Sequence, residues 1–229
     1  MTPTQPETMA EEGRRTAVRA DNLAVVSEAE ASLVVKELYA EFRERFGRPQ
    51  IPGILQCFAT HPPLLEHMMG LAESMLFSEG ALGRKNKEML ATFVSSRNKC
   101  AYCADSHGYF LRMNGGSSDL LDAVIACDVQ ADVLGAENAV LLKFVGKVTD
   151  AADSICPADI AELRDCGWTD LQIAEAIHLA ALFACFNRVV NSFGLQSQGL
   201  LAIYHDELNS RAVASIATPI KNEDGGSAS

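Results

Sequence analysis

Apolar residues recur with a helical period along almost the whole chain, and this pattern restricts what the chain can fold into. From about Asn22 to Asn209, apolar side chains fall three or four residues apart, as they do on one face of an α-helix. We find no convincing strand pattern, because short apolar runs sit inside longer helical patterns. Neither a glycine-rich nucleotide-binding motif nor a G-x-S-x-G motif occurs. The pattern therefore predicts an all-α fold.

Glycine, proline and hydroxyl residues divide this pattern into about eight to ten helices. Ser27, followed three residues later by Glu30, predicts the N-cap of the first helix. A long, Ala-rich and mostly apolar helix follows near the end of the pattern, and we expect it to be central and buried. The other boundary signals are Gly47 and Gly194 as helix ends, Pro62 and Pro157 as helix starts, and Thr169 as the N-cap of the long helix.

No linker interrupts the helical pattern, so the 229 residues predict one domain at 23–208. Polar tails without apolar periodicity flank it at 1–22 and 209–229. The net charge of −11, with no patch of lysine and arginine to offset it, argues against nucleic acid as a partner. No run approaches the roughly 18 apolar residues of a membrane span, and the N-terminus lacks an apolar signal region. We therefore expect a cytoplasmic protein without a membrane partner.

The stretch 99–107 contains a C-x-x-C pair and a histidine four residues further on. At about 100° per residue, Cys100, Cys103 and His107 share one face of a helix and lie near its start. The helix dipole and a nearby protonated histidine both lower a thiol pKa. Two cysteines one turn apart also close a disulfide with little backbone movement. The remaining cysteines occur singly and are read as small buried side chains: Cys57, Cys127, Cys156, Cys166 and Cys185.

Glu88 lies twelve residues before the first cysteine of the pair. If a turn at Asn98-Lys99 makes the two helices antiparallel, Glu88 lies at the height of His107. A carboxylate there would hold the imidazole tautomer and raise its basicity, which suits a proton relay. The position of Glu88 on its own helix predicts the opposite, because it shares a face with Ala91, Thr92 and Ser95. That face is typical of solvent exposure, or of a close approach by another helix.

Together these residues form the pattern E-x11-C-x-x-C-x3-H, which resembles the signature of the alkylhydroperoxidase D-like group in the carboxymuconolactone decarboxylase-like superfamily. The segments 163–177 and 183–188 (Phe-Ala-Cys-Phe-Asn-Arg) are similar to the C-terminal helices of that family. The resemblance covers roughly residues 38–195. It implies a single-domain helical fold that assembles into homo-oligomers, as trimers, dimers or hexamers.

The resemblance also implies a peroxidase with a redox-active disulfide between Cys100 and Cys103. In that reading Cys103 attacks the peroxide, Cys100 resolves the sulfenic acid, and Glu88 with His107 relays protons. The residues alone do not order the two thiols, since Cys100 is nearer the helix start and Cys103 nearer His107. A small peroxide is the implied substrate. An external dithiol, such as a lipoyl-bearing or thioredoxin-like protein, is the implied reductant, and no tightly bound cofactor is required.

Other readings of the same residues remain open. Cys100, Cys103, His107 and Glu88 are also a ligand set for zinc, although three ligands on one helix face strain a tetrahedral site. In a second alternative, the cysteine pair exchanges disulfides or senses redox state without peroxide turnover. In a third, it has a purely structural role. A carboxymuconolactone decarboxylase-like activity is a further alternative, but the cysteine pair argues against it, because the decarboxylase branch usually lacks that pair. For Arg188, which follows Asn187 on the long apolar helix, we consider the mouth of the site, an oligomer interface or an exposed end.

Overall fold

Nine α-helices and a helical segment at 200–204 form the part of the chain that the structure, a computed structural model, describes: residues 18–204. No strand occurs in this range, so the prediction of an all-α fold of eight to ten helices is confirmed. A π-helical turn (Glu73–Phe77) extends α3, and short 3₁₀ turns precede and follow α7 (Asp132–Leu134 and Ala152–Ser154). The helices are α1 (Leu33–Phe46), α2 (Gly53–Phe58), α3 (Pro62–Ala72), α4 (Arg84–Arg97), α5 (Ala101–Met113), α6 (Ser118–Ile125), α7 (Gly135–Ala151), α8 (Pro157–Asp165) and α9 (Asp170–Phe193).

Most of the predicted boundary signals are found at helix ends. Gly47 and Gly194 follow α1 and α9 in the left-handed conformation, with φ of 61° and 75°.

The predicted cap at Ser27 is wrong, because α1 begins at Leu33 with Ser32 as its N-cap. Ser27 instead donates a hydrogen bond to Glu30 in a separate turn. The hydroxyl of Tyr39 donates to the carbonyl of Val26 and holds that turn across α1, so the helix does not extend into it.

Helix α9 is the central helix of the fold. Thr169 and Gln172 form a capping box at its start, and its inward face is buried against α2, α4, α5, α7 and α8. By length and composition α9 is apolar enough to cross a membrane, with a mean hydropathy of 1.5 over its most apolar window. Half of that window is buried inside the fold, which is typical of a core helix.

Helices α4 and α5 form an antiparallel hairpin that positions the candidate site. The turn between them passes through Lys99, a non-glycine residue in the left-handed region with φ of 53°. Every residue of α4 from Lys87 to Ser95 is buried, because α5, α6, α7 and α9 surround this helix. A helix enclosed in this way has no solvent face at the height of the cysteines.

The start of the described range lies against the end of α9. Ala20 and Leu195 form an isolated antiparallel bridge, and the N–H of Asn22 donates to the carbonyl of Phe193. Residues 18–22, which the sequence places in the N-terminal tail, thus lie against the end of α9. Residues 1–17 and 205–229 lie outside the described range, and the predicted domain limits stay predictions.

Candidate active site

The cysteine pair lies at the start of α5 and is almost fully buried. Cys100 is the N-cap residue and Cys103 lies in the first turn, with exposed fractions of 1% and 3%. Both are thiols. Cys103 donates a hydrogen bond to the sulfur of Cys100, which lowers the pKa of Cys100, and the N–H groups of Cys103 and Tyr102 lower it further. The same shared proton, together with burial, raises the pKa of Cys103 well above its ordinary value. A thiolate is therefore better stabilised on Cys100 than on Cys103.

Asn187 from α9 completes the environment of the two sulfurs. Its side chain is fully buried and hydrogen-bonds to both cysteines, which favours their thiolate forms. Its amide donates to Ser95 Oγ at 3.0 Å and accepts from Asn98 Nδ2 at 3.0 Å. These contacts fix the amide orientation between α4 and α9. Sequence reasoning did not assign Asn187 to the site, and Arg188, the residue it considered there, is exposed.

Glu88 and His107 are in direct contact. The Oε2 atom of Glu88 lies 2.7 Å from Nδ1 of His107, and the carboxylate has no exposed surface. Arg84, one turn earlier on α4, binds the other oxygen through Nε at 2.7 Å and Nη2 at 2.6 Å. The prediction that the hairpin places Glu88 at the height of His107 is therefore confirmed. The prediction that Glu88 is exposed to solvent is wrong, because α5 and α9 cover its side of α4.

The contacts of Glu88 define the histidine tautomer. An ionised carboxylate accepts hydrogen bonds and donates none, so Nδ1 of His107 carries the proton in the contact with Glu88. Nε2 of a neutral imidazole is then left as an acceptor. The ring is held edge-to-face on Phe183, with centroids 4.6 Å apart. The arrangement is a positioned base with its orienting carboxylate.

An apolar cavity that opens to solvent lies next to this pair, and its volume is about 790 Å³ when the open space at its mouth is included. Cys103, Ser106 and His107 line it from α5, whereas Cys100 does not. Gln198 borders it from the C-terminal segment, which Asp105 of α5 holds by accepting from the N–H groups of Leu200 and Leu201. The apolar lining consists mainly of rings and thioethers: Phe42, Phe46, Phe58, Met68, Met69, Phe77, Phe110 and Phe186. The cavity is suited to an organic molecule, and Cys103 is the cysteine of the pair whose side chain borders it.

The structure thus brings together all four residues singled out in the sequence: Glu88, Cys100, Cys103 and His107. Sequence reasoning missed the role of Arg84, although the spacing of four residues between Arg84 and Glu88 is the spacing of an ion pair on a helix. It also missed the cavity, whose walls come from five helices, the π-helical turn and two loops. Among the described residues, no group of three or more His, Cys, Asp and Glu side chains is placed to hold a metal ion.

Comparisons with known proteins agree with this fold. Residues 62–143 match the model of the carboxymuconolactone decarboxylase family, which confirms the resemblance seen in the sequence. No curated protein matches the chain. Solved structures with a similar fold include the alkylhydroperoxidase AhpD core, an uncharacterized peroxidase-related protein from Ralstonia eutropha JMP134. It is 24% identical, with a TM-score of 0.69 over 79% of this chain and 94% of that one.

Two further structures share the fold. An uncharacterized peroxidase-related protein from Silicibacter sp. TM1040 is 24% identical, with a TM-score of 0.64 over 86% of this chain and 94% of that one. A cysteine-to-alanine variant of the debrominase Bmp8, solved in complex with 2,3,4-tribromopyrrole, is 14% identical, with a TM-score of 0.65 over 84% and 100% of the two chains. At these identities the similarity concerns the fold.

Proposed function

For a chain whose central segment matches the carboxymuconolactone decarboxylase family and whose helices take the alkylhydroperoxidase-like fold, we propose a thiol-dependent peroxidase that reduces organic hydroperoxides with the Cys100/Cys103 dithiol. The observation that carries the proposal is the position of Cys103. This residue is hydrogen-bonded to Cys100 and lines an apolar cavity together with His107, which Glu88 orients. Peroxidase-related proteins among the structural neighbours support the same reaction class.

The first step is attack by Cys103 on the peroxide. His107 accepts the Cys103 proton at Nε2, directly or through the bound hydroperoxide, because Nδ1 is already committed to Glu88. The Cys103 thiolate attacks the terminal peroxide oxygen and the O–O bond breaks. The proton held by His107 passes to the departing alkoxide, so the products are the Cys103 sulfenic acid and an alcohol.

The second step uses the lowered pKa of Cys100. Cys100 loses its proton, its thiolate attacks the sulfur of the Cys103 sulfenic acid, the disulfide forms, and the departing hydroxide takes up that proton as water. An external dithiol then reduces the disulfide by exchange and restores both thiols. A lipoyl-bearing or thioredoxin-like protein is of the right class for this reductant. We propose that the enzyme works as a homo-oligomer in the cytoplasm.

The test is consumption of cumene hydroperoxide with dihydrolipoamide as reductant, measured for wild type and single-cysteine variants. We expect Cys103→Ser to abolish turnover. Cys100→Ser is expected to stop after one equivalent, leaving a sulfenic acid on Cys103 that dimedone labels and mass spectrometry locates. Cys185→Ser, at an exposed cysteine, is the matched control and should turn over like wild type. Unchanged turnover in either variant of the pair would exclude the two-cysteine cycle.

A second candidate is disulfide exchange without peroxide turnover. The observation that favours it is the stabilised Cys100 thiolate at a helix N-terminus, a feature of dithiol oxidoreductases. This function predicts reduction of a mixed disulfide by the wild type at a rate that peroxide does not affect. Peroxide-dependent disulfide formation between Cys100 and Cys103 separates the two functions.

A further inference from the structure

Arg48 is a cation in the wall of the apolar cavity. It lies in the loop after α1, and its guanidinium stacks over the ring of Phe110 at 5.0 Å from the centroid. Phe110 is on α5, and its ring lies 6.0 Å from the ring of His107. Arg48 is therefore separated from the imidazole by one aromatic side chain.

Among the described residues, Arg48 differs from most other arginines in having no carboxylate partner. Arg43, Arg45, Arg84, Arg97 and Arg164 each pair with an aspartate or glutamate. Arg48 is half-buried, has no ion pair, and lines a cavity to which the described residues contribute no Asp, Glu or Lys. Burial also lowers the pKa of its guanidinium, which reflects the cost of holding this cation away from water.

We propose that Arg48 binds a carboxylate on the substrate, so that the cavity selects organic hydroperoxides that carry an acidic group on an apolar or aromatic body. This specificity rests on the proposed peroxidase function. A guanidinium presents paired N–H donors that match a carboxylate, and such bonds are stronger than neutral ones. An anionic group on the substrate gains most binding free energy at this unpaired cation, because the rest of the lining consists mainly of aromatic rings and thioethers.

The charge of the whole chain supports a local anchor. A net charge of −11 disfavours anions at long range, so an acidic substrate is bound only if a cation meets it inside the cavity. With the carboxylate on Arg48, the apolar body of the substrate lies along Phe110. Its peroxide is then directed toward His107 and Cys103, which line the same cavity.

The test compares cumene hydroperoxide with its para-carboxylate, two substrates that share the same aromatic body and peroxide and differ by one carboxylate group. We expect Arg48→Gln to lower kcat/KM for the carboxylate about 10- to 100-fold, mainly through KM, and to leave the neutral substrate within about twofold. Arg48→Lys should retain part of the preference, because it keeps the charge without the paired donors. Arg188→Gln, at an exposed arginine of α9, is the matched control.

Equal losses for the two substrates, or no loss for the carboxylate, would overturn the proposal. A binding measurement separates it from the proposed reaction: calorimetric titration of 4-isopropylbenzoate and of the neutral 4-isopropylbenzamide into the reduced protein. Preferential binding of the benzoate that Arg48→Gln and Arg48→Lys weaken supports the anchor even if no peroxide is turned over. Equal affinity of both ligands for the wild type overturns it, whatever the activity.

Discussion

Glu88→Gln removes the charge at the centre of the Arg84–Glu88–His107 cluster while nearly preserving the shape of the side chain. The carboxylate is fully buried and accepts from both partners. A glutamine has one carbonyl oxygen for these donors, and its NH₂ group faces either the Arg84 guanidinium or the Nδ1 proton of His107. Breaking a buried, hydrogen-bonded charge pair by changing one partner costs about 3–5 kcal/mol. Since typical domains unfold with about 5–15 kcal/mol, this loss is a large fraction of the total.

Stability and activity are measured on the same protein. Urea unfolding should show the loss of about 3–5 kcal/mol as a lower midpoint with an unchanged m-value. Peroxide turnover is measured at a temperature and urea concentration at which the variant is folded. There we expect kcat/KM to fall about 10²- to 10⁴-fold, the range for removing general acid–base catalysis. Glu88→Asp, which keeps the charge, should recover part of this loss.

The matched control is Glu162→Gln, the same chemical change at an exposed glutamate that pairs with Lys143. Exposed pairs contribute about 0–1 kcal/mol, so neither stability nor turnover should change appreciably. A Glu88→Gln protein that loses stability but keeps wild-type kcat/KM would show that Glu88 is structural. Wild-type stability in that variant would contradict the energetic reasoning for the buried cluster.

Three further predictions concern the thiols and their neighbours. Cys103→Ala should raise the pKa of Cys100, because the hydrogen bond from the Cys103 thiol is the largest cause of its lowered pKa. The change is measured as thiolate absorbance near 240 nm against pH. An unchanged pKa of Cys100 would contradict the hydrogen bond between the two thiols. Asn187→Leu leaves the amide of Asn98 and the hydroxyl of Ser95 without their partner, and should cost about 1–3 kcal/mol in urea unfolding. Burial raises the pKa of Cys57 to about 12, so the unfolded chain releases this proton at lower pH than the folded one. Folding stability should therefore fall as pH rises from about 9 to 12, and Cys57→Ala should reduce that slope; an identical slope would exclude this thiol as its source.

The sequence was sufficient for the helical fold, for most helix boundaries and for the four residues Glu88, Cys100, Cys103 and His107. Gly47, Gly194 and Thr169 act through local geometry, which neighbouring residues determine, and these boundaries were predicted correctly. Ser27 and Ser32 are both able to cap a helix, and the choice depends on the hydrogen bond from Tyr39 to Val26, a contact between residues thirteen positions apart. Local signals do not contain that information.

Glu88 shows a second limit. Helical periodicity assigns Glu88 to a polar face, which predicts exposure to solvent. Residues 87–95 of α4 are nevertheless buried on all sides, because other helices surround them. The spacing of Glu88 and His107 about a turn was the better guide, since it reflects the pairing of two helices rather than the environment of one. The cavity and Arg48 were out of reach, because α1, α3, α5 and α9 converge there from distant parts of the sequence.

The central position of α9 has a consequence for how this protein is made. Helices α4 and α7 bury their apolar faces against a helix that the ribosome synthesises after both of them. Until residue 193 has emerged from the ribosome, α9 does not cover those apolar faces. The cysteine pair also lacks Asn187, which α9 carries. The apolar surface of α4 is therefore exposed while residues 98–193 are translated, a state in which a chain is prone to aggregate. The thiol pair is likewise accessible to oxidants until α9 covers it.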